Sequence, residues 1–261
     1  MKIGIIVMGA CGRMGKTICD LVNADEKYTL AGMVERPEAL AKLADAPCPV
    51  SDALSKLLPQ AKNAVIIDFT SPEASLANAA AAAEFGNPLV IGTTGFTDEQ
   101  KKMLAGYAAK TPLFWAPNMS IGVNVLLKVL PQLTRALGEQ YDIDIMEIHH
   151  NKKKDAPSGT ALKLGECLAQ ARGWELNDVR NSARDGIIGA RPQKEIGVQA
   201  LRGGDVVGVH TVYFMGAGER IEVTHQAHSR ETFAQGALRA AQWLAAQPAG
   251  RLYSMSDIFA E

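Results

Sequence analysis

Cysteine is scarce and scattered: Cys11, Cys19, Cys48 and Cys167 are the only four, and no two form a C-x-x-C pair. That spacing suits neither a zinc site nor a disulfide framework; free buried thiols in a reducing cytoplasm are expected. Net charge is nearly absent too: 27 Lys and Arg against 28 Asp and Glu leave −1. No overall field therefore recruits nucleic acid or an anionic membrane, and any anion must be bound by local groups. Long apolar runs are missing. The most apolar stretches, such as Leu76–Ala83, are Ala-rich and far shorter than the ~18 residues a membrane span needs. The chain opens on a strand-like run, Lys2–Met8, without a signal-peptide layout. Apart from the Ala-rich helix, no internal repeat or low-complexity linker is visible.

What is present is alternation. Lys2–Met8 reads as a buried strand, Arg13–Asn23 as a helix, Thr29–Glu35 and Ala64–Phe69 as further strands, and Glu73–Phe85 as a helix. Pro88–Ile91, Lys101–Ala109 and Leu113–Trp115 continue the series. Short strands separated by helices predict an α/β fold, a Rossmann-type doubly wound parallel sheet. The pattern changes near Asn118. A long helix, Ile121–Leu137, precedes a strand, Ile143–His149, and a second helix, Thr160–Arg172. The chain then turns β-rich through Ile196–Arg202, Val206–Met215 and Arg220–Ala227, and Glu231–Ala246 is a final amphipathic helix. Consecutive strands with Gly-rich turns predict a second, α+β domain with a mixed sheet open on one face.

The first strand ends in Gly9-Ala10-Cys11-Gly12-Arg13-Met14-Gly15 and a helix follows at once. Glycines there permit a tight turn and close backbone approach, and the helix N-terminus offers N–H groups to a pyrophosphate. Glu35 stands about 20 residues beyond Gly15, at the end of the second strand, where a carboxylate would bind adenosine ribose hydroxyls. Arg36 could pair with a 2′-phosphate, so the two together suggest use of both NADH and NADPH. The competing reading is a plain turn, an unrelated surface glutamate and a solvated arginine. Gly92-Thr93-Thr94-Gly95 and Ala116-Pro117-Asn118-Met119-Ser120 follow later strands; they could lie along the nicotinamide end or be turns alone.

The segment Glu147 to Leu162 combines adjacent His149 and His150, the lysines Lys152, Lys153 and Lys154, and a Ser158-Gly159-Thr160 turn opening a helix. Hydroxyls and backbone N–H groups at that helix start, with a lysine beside them, suit a carboxylate or phosphate. Histidine is the side chain best placed to exchange a proton near neutrality, as reduction of a double bond requires. The bland readings are a solvated face for Lys152 and Lys154, and only one histidine entering the crevice. No metal is expected, because soft ligands are absent nearby and His225 and His228 complete no ligand framework.

Together the segments GACGRMG, VER, DFTSPE, GTTGF, APNMSIGVN, EIHHNKKKDAPSGTAL, RGGDVVGVHTV and SRETFAQGALRAAQWL resemble the bacterial dihydrodipicolinate reductase family. They occur in order over nearly the full length, and the string His-His-x4-Asp-Ala-Pro-Ser-Gly-Thr is highly specific. The resemblance implies NAD(P)H-dependent reduction of a cyclic dicarboxylate, 4-hydroxy-tetrahydrodipicolinate, in diaminopimelate and lysine biosynthesis. It also implies a dinucleotide-binding domain over 1–120 and 230–261, and a substrate-binding domain over 121–229 forming a homotetramer. Gly9, Ala10, Gly12, Arg13, Met14, Gly15, Glu35, Arg36, Gly92 to Thr94 and Ala116 to Met119 match cofactor positions. His149 or Lys153 matches the proton donor, and His150, Lys153, Ser158, Gly159 and Thr160 match substrate-binding positions. Asn151 and Lys152 depart from the family, whose members often carry Arg and His there. Rival readings are another imine or amino-acid dehydrogenase, a Schiff-base lyase using Lys153, and a non-catalytic NAD(H) sensor.

Overall fold

The computed structural model describes residues 2–259. The chain divides into two compact units, one running to Ile121 and resuming at Arg230, the other spanning Gly122–Ser229. The first unit begins with β1 (Ile3–Met8), α1 (Arg13–Ala24), β2 (Tyr28–Val34), a 3-10 segment (Pro37–Leu43), β3 (Val50–Ser51) and α2 (Leu54–Leu57). It continues with β4 (Val65–Asp68), α3 (Pro72–Phe85), β5 (Leu89–Ile91), α4 (Asp98–Ala108) and β6 (Leu113–Trp115). The second unit takes up nearly all of α5 (Ile121–Leu137), then β7 (Asp142–His149), α6 (Gly159–Ala171), α7 (Leu176–Val179) and β8 (Arg180–Asn181). It ends with β9 (Ile196–Arg202), β10 (Gly208–Gly216) and β11 (Glu219–Ala227), after which α8 (Glu231–Leu244), β12 (Leu252–Tyr253) and α9 (Met255–Ile258) return to the first unit.

Seven parallel strands in the order β12-β6-β5-β4-β1-β2-β3 form the first sheet. Its central strands are continuous apolar runs because both faces are covered. Alternate residues separate into two layers. Ile5, Val7, Val65, Ile67, Val90 and Phe114 pack with α1 and α8 through Ile18, Val22, Ala237, Ala241 and Leu244. Ile6, Met8, Ile66, Leu89, Ile91 and Leu113 form the other layer with Ala79 and Ala82 of α3 and Leu104 and Ala108 of α4. The strand order reverses between β1 and β4, the switch point at which such sheets open a crevice. The fold is the doubly wound one that the alternation predicts. β12 has no counterpart in the sequence reading: it is two residues long and pairs with β6 across most of the chain.

Helix ends in this unit are built two ways. Ser71 caps α3 by accepting the Ala74 N–H, with Pro72 in the first turn, and Gly86 closes it at φ 76°. Thr97 and Gln100 form a capping box on α4, which carries Asp98 and Glu99 in its first turn. α1 has neither a side-chain cap nor an acidic first-turn residue.

The second sheet is mixed, in the order β11-β10-β7-β9-β8, with β7–β9 and β8–β9 parallel and β10 antiparallel to both neighbours. Ile143, Ile145, Val198, Val212 and Phe214 on one face form a core with Leu130, Leu164 and Leu168. On the opposite face Met146, Ile148, Val209 and Tyr213 stay half-buried, and Leu201 is 50% exposed. Among the described residues no helix is long and apolar enough to cross a membrane. The expectation of uniformly buried thiols holds for Cys19 only; Cys11, Cys48 and Cys167 are partly exposed. Burial is the main influence raising all four thiol pKa values, with Cys19 pushed up to about 12, so none is a ready thiolate nucleophile.

Candidate active site

In the first unit, parallel pairing brings the carboxyl ends of five strands to one edge. Along it the connecting loops follow the strand order: 116–119 after β6, 92–95 after β5, 69–71 after β4, 9–15 after β1 and Glu35-Arg36 after β2. The glycine-rich loop thus sits at the centre, with the acidic–basic pair on one flank and the two later loops on the other.

The central loop hangs from the end of β2. The N–H groups of Gly9 and Ala10 donate to Val34 O (2.8 and 3.3 Å), Gly12 N–H donates to Gly9 O (2.9 Å), and Cys11 N–H donates to Glu35 Oε2 (2.8 Å). Gly9 requires its positive φ of 63°, and a Cβ on Gly15 would stand 2.2 Å from Gly9 O, so α1 can approach the turn only as glycine. What remains for a ligand is the uncapped first turn of α1, at Arg13, Met14 and Gly15, with Lys16 adding positive charge. An uncapped N-terminus without acidic residues fits a dinucleotide pyrophosphate. Glu35, buried to 8% exposure, also accepts the Arg36 N–H (2.9 Å), while the Arg36 side chain is 79% exposed and lies 3.5 Å from Glu38. One residue closes the loop and the next reaches solvent.

On the other flank, Gly92 packs on the Phe69 ring; a Cβ there would fall 2.1 Å from Cε1. Thr93 is turned inward: its hydroxyl accepts from Ser75 Oγ (2.9 Å) and its carbonyl from Trp115 Nε1 (3.0 Å). Thr94 is exposed, as is Pro117. Ala116 and Met119 are buried, and Asn118 Oδ1 accepts the Ser120 N–H (2.9 Å).

In the second unit the site grows from the period-two alternation of β7. Ile143, Ile145 and Glu147 face the core in one row, so Glu147 enters it as a fully buried carboxylate (0% exposed) with His149 next on the same face. Register places His210 of β10 opposite Glu147 and Arg202 of β9 opposite His149. Glu147 is saturated: Arg202 donates to both oxygens (2.7 and 2.8 Å), Ser158 N–H to Oε1 (2.8 Å), and His149 Nδ1 lies 2.6 Å from Oε2. Burial pushes the Glu147 pKa up, but Arg202, His149 and the Ser158 N–H outweigh it and the carboxyl stays below its ordinary value. His149 is held below the ordinary histidine value by burial first, with Lys153 and Arg202 in the same direction and Glu147 opposing.

Ser158 caps α6, its hydroxyl accepting the Ala161 N–H (3.1 Å) and lying 3.0 Å from His210 Nε2. At 2% exposure that hydroxyl is committed inward, so the helix start presents Gly159 and Thr160 rather than an open serine side chain. Burial is the largest cause of His210 falling to a pKa of about 4, with the neighbouring His149 adding to it. Lys153 is 20% exposed and pairs with Asp155 at 2.9 Å; Lys152 and Lys154 face solvent. His150 is half-buried, and its Nδ1 accepts the Lys152 N–H (3.2 Å). The loop is tied to the β9–β10 turn by His150 N–H to Val206 O (2.8 Å), Asn151 N–H to Gly204 O (3.2 Å) and Gly203 N–H to His149 O (3.0 Å). Among the described residues no group of three or more His, Cys, Asp or Glu side chains converges as a metal site.

Sequence reading missed Glu147, Arg202 and His210. Glu147 had a local signal, a carboxylate two residues before His149 in a strand of alternating apolar residues. Arg202 and His210 stand in the segment RGGDVVGVHTV that carries the family resemblance, but nothing local to it marks them as partners of Glu147 and Ser158, because their strands meet β7 only through register.

Family models described as dihydrodipicolinate reductase, N-terminus and C-terminus, match residues 3–119 and 122–259. A 4-hydroxy-tetrahydrodipicolinate reductase of Desulfovibrio desulfuricans is 66% identical, covering 99% of this chain and 100% of that one. One from Lawsonia intracellularis is 53% identical over the same shares. The solved dipicolinate-bound dihydrodipicolinate reductase of Paenisporosarcina sp. TG-14 superposes with a TM-score of 0.77 at 25% identity, covering 97% of this chain and 98% of that one. An amine dehydrogenase of Mycobacterium smegmatis, at TM-score 0.58 and 13% identity over 97% and 95% of the two chains, shares the fold alone. With both halves matched and full-length relatives this similar, the chain belongs to the dihydrodipicolinate reductase family.

Proposed function

We propose that this chain catalyses NAD(P)H-dependent reduction of 4-hydroxy-tetrahydrodipicolinate to tetrahydrodipicolinate in diaminopimelate and lysine biosynthesis. The observation that carries the reading is the Glu147–His149–Lys153 cluster beside the α6 N-terminus, in a chain that is 66% identical over its length to a reductase of that name. A reduced nicotinamide supplies hydride when bound; Arg13, Met14 and Gly15 would hold its pyrophosphate, and Glu35 and Arg36 its adenosine side.

The rest is work for the second unit's residues. Two substrate carboxylates need cationic or N–H partners, and Gly159, Thr160, His150 and Lys153 offer them. Lys153 would exchange its exposed Asp155 partner for substrate. Loss of the 4-hydroxyl as water, with a proton from the adjoining carbon, would leave a ring double bond. Hydride then adds at C4 and the adjoining carbon takes a proton back, for which His149 is a titratable donor whose ring is already oriented. Burial keeps His149 largely neutral at pH 7, so Lys153 is the second candidate for that proton. Bringing these groups and the substrate into one geometry supplies much of the rate by proximity and by fixed charge. The same reading carries a homotetramer joined through the half-apolar open face of the second sheet, in the cytoplasm.

The test is to generate substrate in situ from pyruvate and aspartate semialdehyde with the preceding synthase, and to follow loss of NADPH or NADH absorbance. Oxidation should require both precursors, and His149→Gln should lower kcat by about 10²–10⁴. Cofactor binding without oxidation would defeat the substrate assignment. A His149→Gln rate within threefold of the parent would remove that residue from proton transfer.

A further inference from the structure

We infer that Glu147 is the positioning residue for proton transfer: its buried carboxylate fixes which nitrogen of His149 faces the reaction and registers the α6 N-terminus against that ring. The inference rests on the proposed function, in which His149 handles the proton.

A carboxylate only accepts, so at 2.6 Å the His149 Nδ1 must carry the hydrogen, whether the ring is neutral or cationic. The exchangeable site is then Nε2. That nitrogen lies against Gly208, where a Cβ would stand 3.1 Å away, so only a glycine there leaves it uncrowded. The other oxygen of the same carboxylate takes the N–H of Ser158, the N-cap of α6. One side chain therefore sets the orientation of the candidate proton carrier and the place of the turn expected to hold a substrate carboxylate. Arg202 makes this arrangement stable, since a buried carboxylate without a cation would neutralise instead. Displacing either element by about an ångström would cost on the order of 10²-fold in rate.

The groups facing His149 are few. Glu147 lies on its own strand, Arg202 on β9, His210 on β10 at 5.1 Å between ring centroids, and Lys153 with its partner Asp155 on the following loop. Of the charges acting on His149, Glu147 is the one that raises its pKa, while Lys153 and Arg202 lower it. Removing the Glu147 charge should therefore move the His149 titration to lower pH.

The experiment uses the full chain with labelled histidine. In the parent, ring 15N shifts should report His149 protonated at Nδ1 when neutral. In Glu147→Gln the His149 midpoint should fall by about one pH unit, and the tautomers should mix. The falling limb of kcat/KM with rising pH should move by the same amount. At pH 7, kcat should drop about tenfold to a hundredfold while cofactor KM stays within about twofold. Glu147→Asp keeps the charge, so its pH limb should return to within about 0.3 unit of the parent even though kcat stays low. If Glu147→Gln does not fold, Glu147→Asp decides alone: at least about a fivefold loss of kcat supports positioning, and a parental kcat overturns it. A parental titration and limb in folded Glu147→Gln, beside an inactive His149→Gln, overturn the positioning role alone. A parental rate in His149→Gln overturns the proton-transfer reading and this inference with it.

Discussion

Gly236 of α8 packs against the backbone carbonyl of Met119: a Cβ at 236 would stand 1.7 Å from that oxygen. The last long helix of the chain thus rests directly on the loop that follows β6, and only a hydrogen fits between them. Alanines at 234, 237, 240 and 241, all buried, let the same helix lie close over the sheet.

Gly236→Ala should consequently act in two places. Neither partner is a flexible side-chain end, so helix or loop must shift, at about 1–3 kcal/mol of stability. Thermal unfolding should register that loss, and a titration with NADH should show weakened binding. Parental values for both would mean that the 116–119 loop adjusts freely.

Gly208→Ala probes the space at His149 Nε2. The new methyl would sit 3.1 Å from that nitrogen, close enough to push the ring. We expect kcat to fall about tenfold to a hundredfold, with cofactor KM unchanged, because the loops proposed to hold the cofactor belong to the other unit. Steady-state kinetics with each nucleotide varied separately would reveal the split, and equal losses in kcat and in cofactor affinity would contradict it.

Cofactor choice should turn on Arg36. Its guanidinium is exposed and only loosely paired with Glu38, at 3.5 Å, so little protein structure depends on it. Arg36→Ala should raise the NADPH KM about tenfold, the equivalent of one lost contact to a 2′-phosphate, and leave the NADH KM within about twofold. Equal changes for both nucleotides would place Arg36 outside cofactor selection.

His210 links stability to pH. Its pKa of about 4 in the fold, set chiefly by burial, compares with roughly 6.5 in an unfolded chain. Below pH 6.5 the unfolded state binds the extra proton first. The contribution is therefore complete above pH 6.5 and is lost as pH falls toward 4, amounting to about 3 kcal/mol. Denaturant unfolding at pH 7 and pH 4.5 should show the parent losing more than His210→Gln. Equal losses would show that this ring is not buried as a neutral group.

Much of the first unit was legible because its signals are local. An apolar run followed by glycines and a helix start needs no distant partner to be recognised, and Glu35 follows at a characteristic interval. β12 was not, since two residues define no pattern and β6 lies far away in sequence. The hydroxyls show the same limit. Ser158 was read within an anion-binding turn, and Thr93 within a loop that either lines the nicotinamide end or is a turn alone; in the fold one hydroxyl caps α6 against His210 and the other bonds Ser75. Side-chain direction depends on what packs behind the loop, and a motif does not contain that.

By itself the sequence determined the α/β alternation, the glycine loop, the acidic–basic pair and the His–Lys segment, because each is written in contiguous residues whose chemistry is intrinsic. Tertiary structure alone decided which groups serve them. It brought Arg202 to Glu147 across 55 positions and His210 to Ser158 across 52. Those partners are chosen by strand register, and register is fixed only when the whole sheet finds the pairing that buries its apolar face.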